Sequence, residues 1–263
     1  PQGASTKNAG FACFGSLSEI LKDLESHTES DVLELVGQRH KGLQLLRSTL
    51  GDDALSYQQL GGYELFLKKD ELLFDTCSQN MKDVNSLLKP VFKADVFSKV
   101  SNHFNFSRIQ NQYIRNQFEG QIDTGKMMQA LIKRVQELGV IILNNTKVER
   151  YFEHSDKIEI QTTHFELSAL KLIFTTNGFA KQLINEDVQP ARAQALITKP
   201  LKNLQIKGTF HLDCGYYYFR NVDNRILLGG GRNLDIKGET TTKLAETEKI
   251  QQSLENILKY TIL

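Results

Sequence analysis

The chain has 263 residues, of which 40% are hydrophobic, and its mean hydropathy is −0.35. These values are typical of a globular protein long enough for one large domain or two interleaved ones. Lys and Arg number 32 and Asp and Glu 31, so charge gives no argument for binding nucleic acid or an acidic membrane surface. No apolar run approaches membrane-spanning length, and no signal peptide is recognisable. The widely spaced Cys13, Cys77 and Cys214 predict reduced thiols and a cytoplasmic protein.

The chain begins with a small, polar, glycine-punctuated stretch, Ala4-Ser5-Thr6-Lys7-Asn8-Ala9-Gly10-Phe11, that runs on to Gly15. Ser16 and Glu19 have capping-box spacing, which predicts that a helix starts here. The N-terminus of such a helix suits a phosphate or another electron-rich group. An ordinary polar turn and N-cap would explain the same composition.

The same run resembles the G-A-S-x-x-N-A-G-F segment of the FAD-dependent D-amino acid oxidase superfamily, which includes glycine oxidases and sarcosine oxidases. In that family the segment passes along the flavin. The resemblance implies that Ser5 and Thr6 lie near the pyrophosphate and ribityl chain of FAD. It also implies that Asn8, Ala9 and Gly10 lie near the isoalloxazine ring.

Helices and strands alternate in the prediction for the next part of the chain. The predicted elements are a helix capped by Asp31 or Ser30 and ended by Gly51, a strand within residues 55–68, a helix over residues 73–88 that stops before Pro90, and a strand near residues 113–118.

Residues 119–180 give the clearest pattern. A helix capped by Asp123 or Thr124, with a buried apolar stripe, is predicted to end at Gly139. The apolar runs Val140–Leu143 and Leu172–Phe174 predict two strands buried on both faces of a parallel sheet. Three alternating segments between these runs predict a small antiparallel meander.

This order of elements resembles the second half of the FAD domain of the same family. The resemblance implies that the backbone of Val148 meets the adenine. It implies as well that Thr176, Asn177 and Gly178 form a turn that closes over the cofactor. A generic α/β crossover would leave the same apolar pattern.

The last part of the chain predicts a strand starting within residues 188–194, a hairpin over residues 215–231 and a helix over residues 241–260. Alternation along the first hairpin strand places Tyr216 and Tyr218 on one face and Tyr217 on the other. The run resembles the Y-x-x-P-R strand of the family, with Phe219 in place of proline. The resemblance implies that Tyr216 and Tyr218 lie on the substrate side of the flavin as catalytic residues; sheet packing is the alternative role.

The predicted fold class is mixed α/β. A partial FAD-binding, Rossmann-like domain with a β-meander is interleaved with a substrate domain built on an antiparallel or mixed sheet. The predicted segments are 1–54, the flavin-proximal loop and helices; 55–118, the first part of the substrate domain; 119–187, the FAD-binding domain; and 188–263, the second part of the substrate domain. The sequence has no G-x-G-x-x-G, and the family's C-terminal flavin loop and carboxylate-binding arginine are also missing. We therefore interpret the chain as an internal piece of a longer protein, and expect it alone to bind FAD weakly and to lack oxidase activity.

The resemblance implies an FAD-dependent oxidoreductase that oxidises the C–N bond of a small amine or amino acid by hydride transfer to flavin N5. The alternatives are a 2-hydroxy-acid oxidoreductase or another dehydrogenase of the same superfamily, and a non-catalytic scaffold without flavin. No Ser-His-Asp arrangement or metal-ligand spacing competes for the chemistry. The sequence predicts no nucleic-acid partner and no membrane span, and leaves the oligomeric state open.

Overall fold

The computed structural model describes residues 3–263. Their α-helices are α1 (Leu17–Leu24), α2 (Glu29–Leu50), α3 (Asp52–Leu55), α4 (Glu71–Phe92), α5 (Thr124–Glu137) and α6 (Glu248–Ile257). Their strands are β1 (Phe11–Ala12), β2 (Gly62–Leu65), β3 (Phe97–Ser101), β4 (Gln112–Asn116), β5 (Gly120–Gln121), β6 (Val148–Glu153), β7 (Ile158–Thr162), β8 (Glu166–Ala169), β9 (Gln194–Ile197), β10 (Thr209–Leu212), β11 (Tyr217–Val222) and β12 (Arg225–Gly230). The mixed α/β fold class is confirmed.

Two compact units make up these residues. The first holds the chain up to Lys133 together with Gln194–Leu234 and Glu246–Leu263. The second holds Arg134–Ala193 and Asp235–Ala245. The division into four functional segments stays a prediction.

A seven-stranded sheet in the order β3-β4-β2-β10-β11-β12-β9 organises the first unit. Its neighbouring strands are antiparallel except for β2 and β10, which run parallel. On the face that we call the core face, the rings of Phe210 and Phe219 stack at 4.6 Å and those of Tyr63 and Phe210 at 5.0 Å. Helix α6 packs in the same hydrophobic cluster through Ile250 and Leu254.

The opposite face of this sheet carries polar side chains, and we call it the polar face. Glu64 on β2 lies opposite His211 on β10, and His211 lies opposite Tyr218 on β11. Since side chains alternate along a strand, Arg220 shares this face with Tyr218. Helices α1, α2 and α4 form a second hydrophobic cluster with Phe66, with Phe97 of β3 and with Ile114 of β4, on the side of the sheet that ends at β3.

The start of α1 is as predicted, whereas the start of α2 is not. Ser16 and Glu19 form a capping box, with the Ser16 amide donating to Glu19 Oε2 at 2.7 Å. Helix α2 is capped by Thr28, and Asp31 completes that capping box from within the helix instead of starting it. Gly51 ends α2 with φ +88°, a conformation that favours glycine.

Helix α4 does not stop before Pro90, so that prediction is wrong. Pro90 lies in the last turn, and the helix continues to Phe92. Pro90 has no amide hydrogen to donate to the preceding turn, so the helix passes through it with one backbone hydrogen bond fewer. The amide of Lys93, in the left-handed conformation, closes the helix by donating to the carbonyl of Lys89 at 2.9 Å.

The second unit contains the predicted three-stranded antiparallel meander, in the order β6-β7-β8. Its first turn is the predicted one, where the amide of His154 donates to the carbonyl of Lys157 at 2.9 Å. Strands β6 and β7 shift register between Val148 and Arg150. The periodicity of alternating residues was therefore sufficient to predict this sheet.

The two predicted parallel strands are absent from residues 3–263. Val140–Leu143 and Leu172–Phe174 are not assigned to strands, and Ile141 and Ile173 are 82% and 79% exposed. A strand requires a hydrogen-bonded neighbour, and neither run pairs with another described strand. The α5 stripe is likewise only partly buried, with Leu138 65% exposed.

Both predicted boundaries of α5 are close to those observed. The Asp123 carboxylate accepts a hydrogen bond from the amide of Lys126 at 2.9 Å, so Asp123 caps the helix. The helix ends at Glu137, and Gly139 follows with φ +79°. Glycine therefore marks the end of this helix as it does for α2.

The predicted hairpin is confirmed, but the final helix is shorter than expected. Strands β11 and β12 pair from Tyr217↔Gly230 to Val222↔Arg225. Helix α6 begins only at Glu248, after the N-cap residue Thr247, and a π-helical turn over Leu258–Ile262 continues it past the predicted end. No helix within residues 3–263 is both long and apolar enough to cross a membrane.

Candidate functional site

The small-residue segment at residues 4–10 is held by one asparagine side chain. Asn8 Nδ2 donates to the carbonyls of Ala4 and Ser5 at 3.1 and 2.9 Å, and Asn8 Oδ1 accepts from the amide of Gly10 at 2.9 Å. The hydroxyls of Ser5 and Thr6 make no hydrogen bond to any of residues 3–263, which leaves both available to a ligand.

Gly10 lies where any larger residue would clash. Its φ is +71°, and a Cβ there would collide with the carbonyl oxygen of Ile122 and lie 2.9 Å from Arg220 Nη2. The Gly10 carbonyl in turn accepts a hydrogen bond from the Ile122 amide at 2.8 Å. The sequence therefore needs glycine here to bring the segment against the guanidinium of Arg220.

Phe11 carries the segment onto the polar face of the sheet. Its ring meets His211 edge-on with centroids 5.2 Å apart, and Tyr218 with centroids 5.8 Å apart. Gly229, opposite Tyr218 on β12, leaves the space that the phenol occupies, since a Cβ there would lie 2.5 Å from the Tyr218 hydroxyl. The structure thus brings Gly10 and Tyr218, two of the predicted site residues, to one place.

Arg220 is a buried cation without a partner for its Nε atom. The residue is 7% exposed, and Arg220 Nε has no hydrogen-bond partner among residues 3–263. Burial lowers the pKa of the guanidinium, while Asp123 and Asp223 oppose that effect. A buried guanidinium normally has a carboxylate beside it, so this one is suited to an anionic or electron-rich ligand.

His211 is a second polar group with an unused atom on this face. Its Nε2 atom is buried and has no hydrogen-bond partner within residues 3–263. Burial lowers the pKa of the imidazole, and the carboxylate of Glu19 raises it by a smaller amount. The signal for this residue in the sequence is weak, because it is only a single polar side chain between Phe210 and Leu212 of β10.

Two buried carboxyl groups hold the chain directly after Phe11. Glu119 Oε1 accepts a hydrogen bond from the amide of Phe14 at 2.9 Å, and Glu64 accepts from the amide of Ser18 at 3.2 Å and from its hydroxyl. Burial raises the pKa of Glu64 to about 7 and that of Glu119 to about 8. Both groups therefore bind protons near neutral pH.

Tyr216 does not share the strand with Tyr218, which corrects the prediction. Tyr216 lies in the turn before β11, is 47% exposed, and accepts a hydrogen bond on its carbonyl from the Gly231 amide at 2.9 Å. Tyr217 is buried on the core face, where its hydroxyl lies 2.9 Å from that of Ser253.

The other predicted cofactor residues lie in the second unit. Val148 opens β6 opposite Thr162, and Asn177, with φ +51°, begins a short 3₁₀ helix over Asn177–Gln182 that is preceded by Thr176. Gly178 lies against Pro190. Their contacts with FAD stay predictions, as does that of the half-buried Ala9.

The described residues offer neither a metal-binding cluster nor, at Cys13, a thiol that ionises near neutral pH. Residues 3–263 contain no group of His, Cys, Asp and Glu side chains able to hold a metal ion. Cys13, Cys77 and Cys214 are free thiols, as predicted. Burial raises the pKa of Cys13 to about 12, so this thiol is not ionised near neutral pH.

The sequence and the fold were compared with those of known proteins. A family profile described as FAD dependent oxidoreductase matches residues 1–261. No curated protein sequence matches significantly. Iminodiacetate oxidase (IdaA) from Chelativorans sp. BNC1 is similar in structure, with a TM-score of 0.71 and 17% identity over 99% of this chain and 70% of that one.

Two further solved structures are similar. Glycine oxidase from Geobacillus kaustophilus gives a TM-score of 0.68 and 13% identity over 99% of this chain and 68% of that one. L-proline dehydrogenase from P. horikoshii gives a TM-score of 0.64 and 17% identity over 83% of this chain and 60% of that one. The match to the latter thus spans less than two thirds of its length. At such identities the likeness shows the fold alone.

Proposed function

Since the chain belongs to the family of FAD-dependent oxidoreductases, we propose that it oxidises the C–N bond of a small amine or amino acid. The observation that carries this proposal is the polar face beside Gly10 and Phe11. There Arg220 Nε and His211 Nε2 are buried without hydrogen-bond partners among residues 3–263, next to the ring of Tyr218. Unpartnered buried polar atoms are costly, so their presence together supports a ligand at this place.

The residues of the first unit fit a flavin cofactor. Gly10 brings the segment against the guanidinium of Arg220, and Asn8 fixes the segment without using the hydroxyls of Ser5 and Thr6. These hydroxyls and Gly10 are the residues that we propose to hold FAD in this unit. When bound, FAD supplies the redox chemistry by accepting a hydride at N5 from the carbon beside the nitrogen.

Arg220 supports an amino acid as the substrate. A buried guanidinium pairs well with a carboxylate, and charge-assisted hydrogen bonds of this kind contribute about 1.5–3 kcal/mol. Tyr218 offers a hydroxyl beside the same space, with Phe11 as an apolar wall. Tyr218 would thus orient the substrate while Arg220 binds its carboxylate.

The test is an anaerobic reduction experiment. The protein is loaded with FAD, and the visible flavin absorbance is followed after addition of glycine, L-proline or iminodiacetate, with glycolate and L-lactate as nitrogen-free counterparts. We expect bleaching by at least one amine and by neither hydroxy acid. Bleaching by a hydroxy acid alone would replace this proposal with 2-hydroxy-acid oxidation. Because we expect this chain alone to bind FAD weakly, the experiment uses the full-length protein that contains it, and a full-length protein that binds no FAD would refute the proposal.

The role of Arg220 is tested with a substrate lacking the carboxylate. For Arg220→Gln we expect KM for a carboxylate-bearing amine to rise by about 10- to 100-fold, as the loss of one charge-assisted contact implies. KM for methylamine should not change. An equal loss with both substrates would show that Arg220 does not contact the carboxylate.

A further inference from the structure

His211 lies beside Phe11 and Tyr218 on the polar face of the sheet. It lies on the middle strand of the polar row, opposite Glu64 on one side and Tyr218 on the other. The ring of Phe11 covers it edge-on at 5.2 Å. Its buried Nε2 atom has no hydrogen-bond partner among residues 3–263.

The surroundings of His211 favour a neutral imidazole in the absence of a ligand. Burial disfavours the charged form and lowers the pKa of the ring. The titratable and charged groups that face it are Glu64 from β2, Tyr218 and Arg220 from β11, and Glu19 from α1, whereas Phe11 from β1 is apolar. The carboxylate of Glu19 raises the pKa of the ring and would stabilise an imidazolium formed there, whereas Glu64 can do so only when it is ionised.

Amine substrates arrive mostly as ammonium ions near neutral pH. Formation of the C=N bond requires the nitrogen lone pair, so the ammonium group must first lose a proton. Resting on the proposed function, we propose that His211 Nε2 accepts the ammonium proton of the substrate. The N–H bond of the substrate breaks, the freed pair stays on nitrogen, and a neutral amine and a protonated His211 result.

The pH profile of the reaction tests this assignment. In the FAD-loaded protein, the rate of flavin reduction by the amine should rise with pH as His211 loses its proton. In His211→Asn the rate at pH 7 should fall by roughly 100-fold. In this variant the rate should begin to rise only near the pKa of the free amine substrate, and most of the rate should be restored above that pH. His154→Asn, on the exposed meander, is the matched control and should leave the profile unchanged.

A second measurement is independent of turnover. Nitrogen-15 NMR of the imidazoles in flavin-free protein should show six histidines, one of which disappears in His211→Asn. That signal should report a neutral ring at pH 7. A protonated ring at pH 7, or an activity profile of His211→Asn that parallels the wild type at every pH, would overturn the proposal. Wild-type protein whose flavin no amine reduces would overturn the proposed function and this assignment together.

Discussion

The two faces of the seven-stranded sheet are built from alternate residues of the same strands, yet they differ in chemistry. On the core face, Phe210 and Phe219 stack at 4.6 Å, and the hydroxyl of Tyr217 meets Ser253 at 2.9 Å. That face buries one nitrogen atom without a hydrogen-bond partner among residues 3–263, Arg115 Nε opposite Tyr63. On the polar face, His211 and Arg220 each bury such a nitrogen atom, and both lie beside the Gly10–Phe11 segment. The core face therefore stabilises the fold mainly through packed rings, while the polar face brings together two unpartnered nitrogen atoms whose cost a ligand can offset.

The largest effect should come from the core face. Phe210→Ala removes a fully buried ring that stacks between Tyr63 and Phe219, and should lower the free energy of unfolding by about 3–5 kcal/mol. Urea denaturation measures this. Tyr218→Phe on the polar face is the matched comparison and should cost less than about 1 kcal/mol, because its hydroxyl makes no hydrogen bond to residues 3–263. Equal losses would erase the distinction between the faces.

The buried carboxyl groups make stability depend on pH. Glu119, whose pKa burial raises to about 8, keeps a proton in the folded state that the unfolded chain releases above about pH 4.5. The free energy of unfolding should thus fall as pH rises from about 4.5 to about 8, by at most about 1.4 kcal/mol per unit for this group. Glu119→Gln should flatten the curve. The exposed Glu153→Gln serves as control, and a curve unchanged by Glu119→Gln would contradict the assignment.

Gly10 joins the small-residue segment to the polar face, and its substitution tests that junction. Gly10→Ala places a Cβ against the Ile122 carbonyl at a positive φ and should cost roughly 1–3 kcal/mol. Gly42→Ala, in open space within α2, should instead be neutral or stabilise by up to about 1 kcal/mol. A thermal melt of each variant gives both values. Gly10→Ala as stable as the wild type would show that the segment moves freely.

The smallest expected effect separates the two predicted tyrosines. Tyr218→Phe should lower kcat/KM for the amine by about tenfold, equal to about 1.4 kcal/mol. Tyr216→Phe, in an exposed turn, should change it by less than twofold. Steady-state kinetics decide between them. An equal loss in both variants would return Tyr216 to the same role as Tyr218.

Local patterns predicted the local parts of the fold. The capping box at Ser16, the meander and the β11–β12 hairpin all depend on residues close together in sequence, and all three are present. The strand predictions for Val140–Leu143 and Leu172–Phe174 were wrong, because an apolar run does not by itself supply the neighbouring strand that a strand must pair with. The passage of α4 through Pro90 shows that a proline near a helix end is a weaker stop than its average effect implies.

The candidate site was only partly predictable for a similar reason. Gly10 and Tyr218 belong to recognisable motifs, and the structure brings them together around Phe11. His211 and Glu64 become neighbours only through the pairing of β2 with β10, which no periodicity reveals. Arg220 is the last residue of the run that resembles the Y-x-x-P-R strand. That its Nε atom is buried without a hydrogen-bond partner among residues 3–263 follows only from the fold.

The parallel pairing of β2 with β10 also constrains how the chain folds. Gly62 must find Thr209 after the whole intervening sequence has been made, whereas β11 and β12 can close as a hairpin at once. Contacts so distant in sequence slow folding. During synthesis one edge of β2 therefore stays open until β10 emerges, and an open edge invites pairing with other chains. In a nascent chain of this protein, the edge of β2 would therefore be the site that stays open to aggregation for longest.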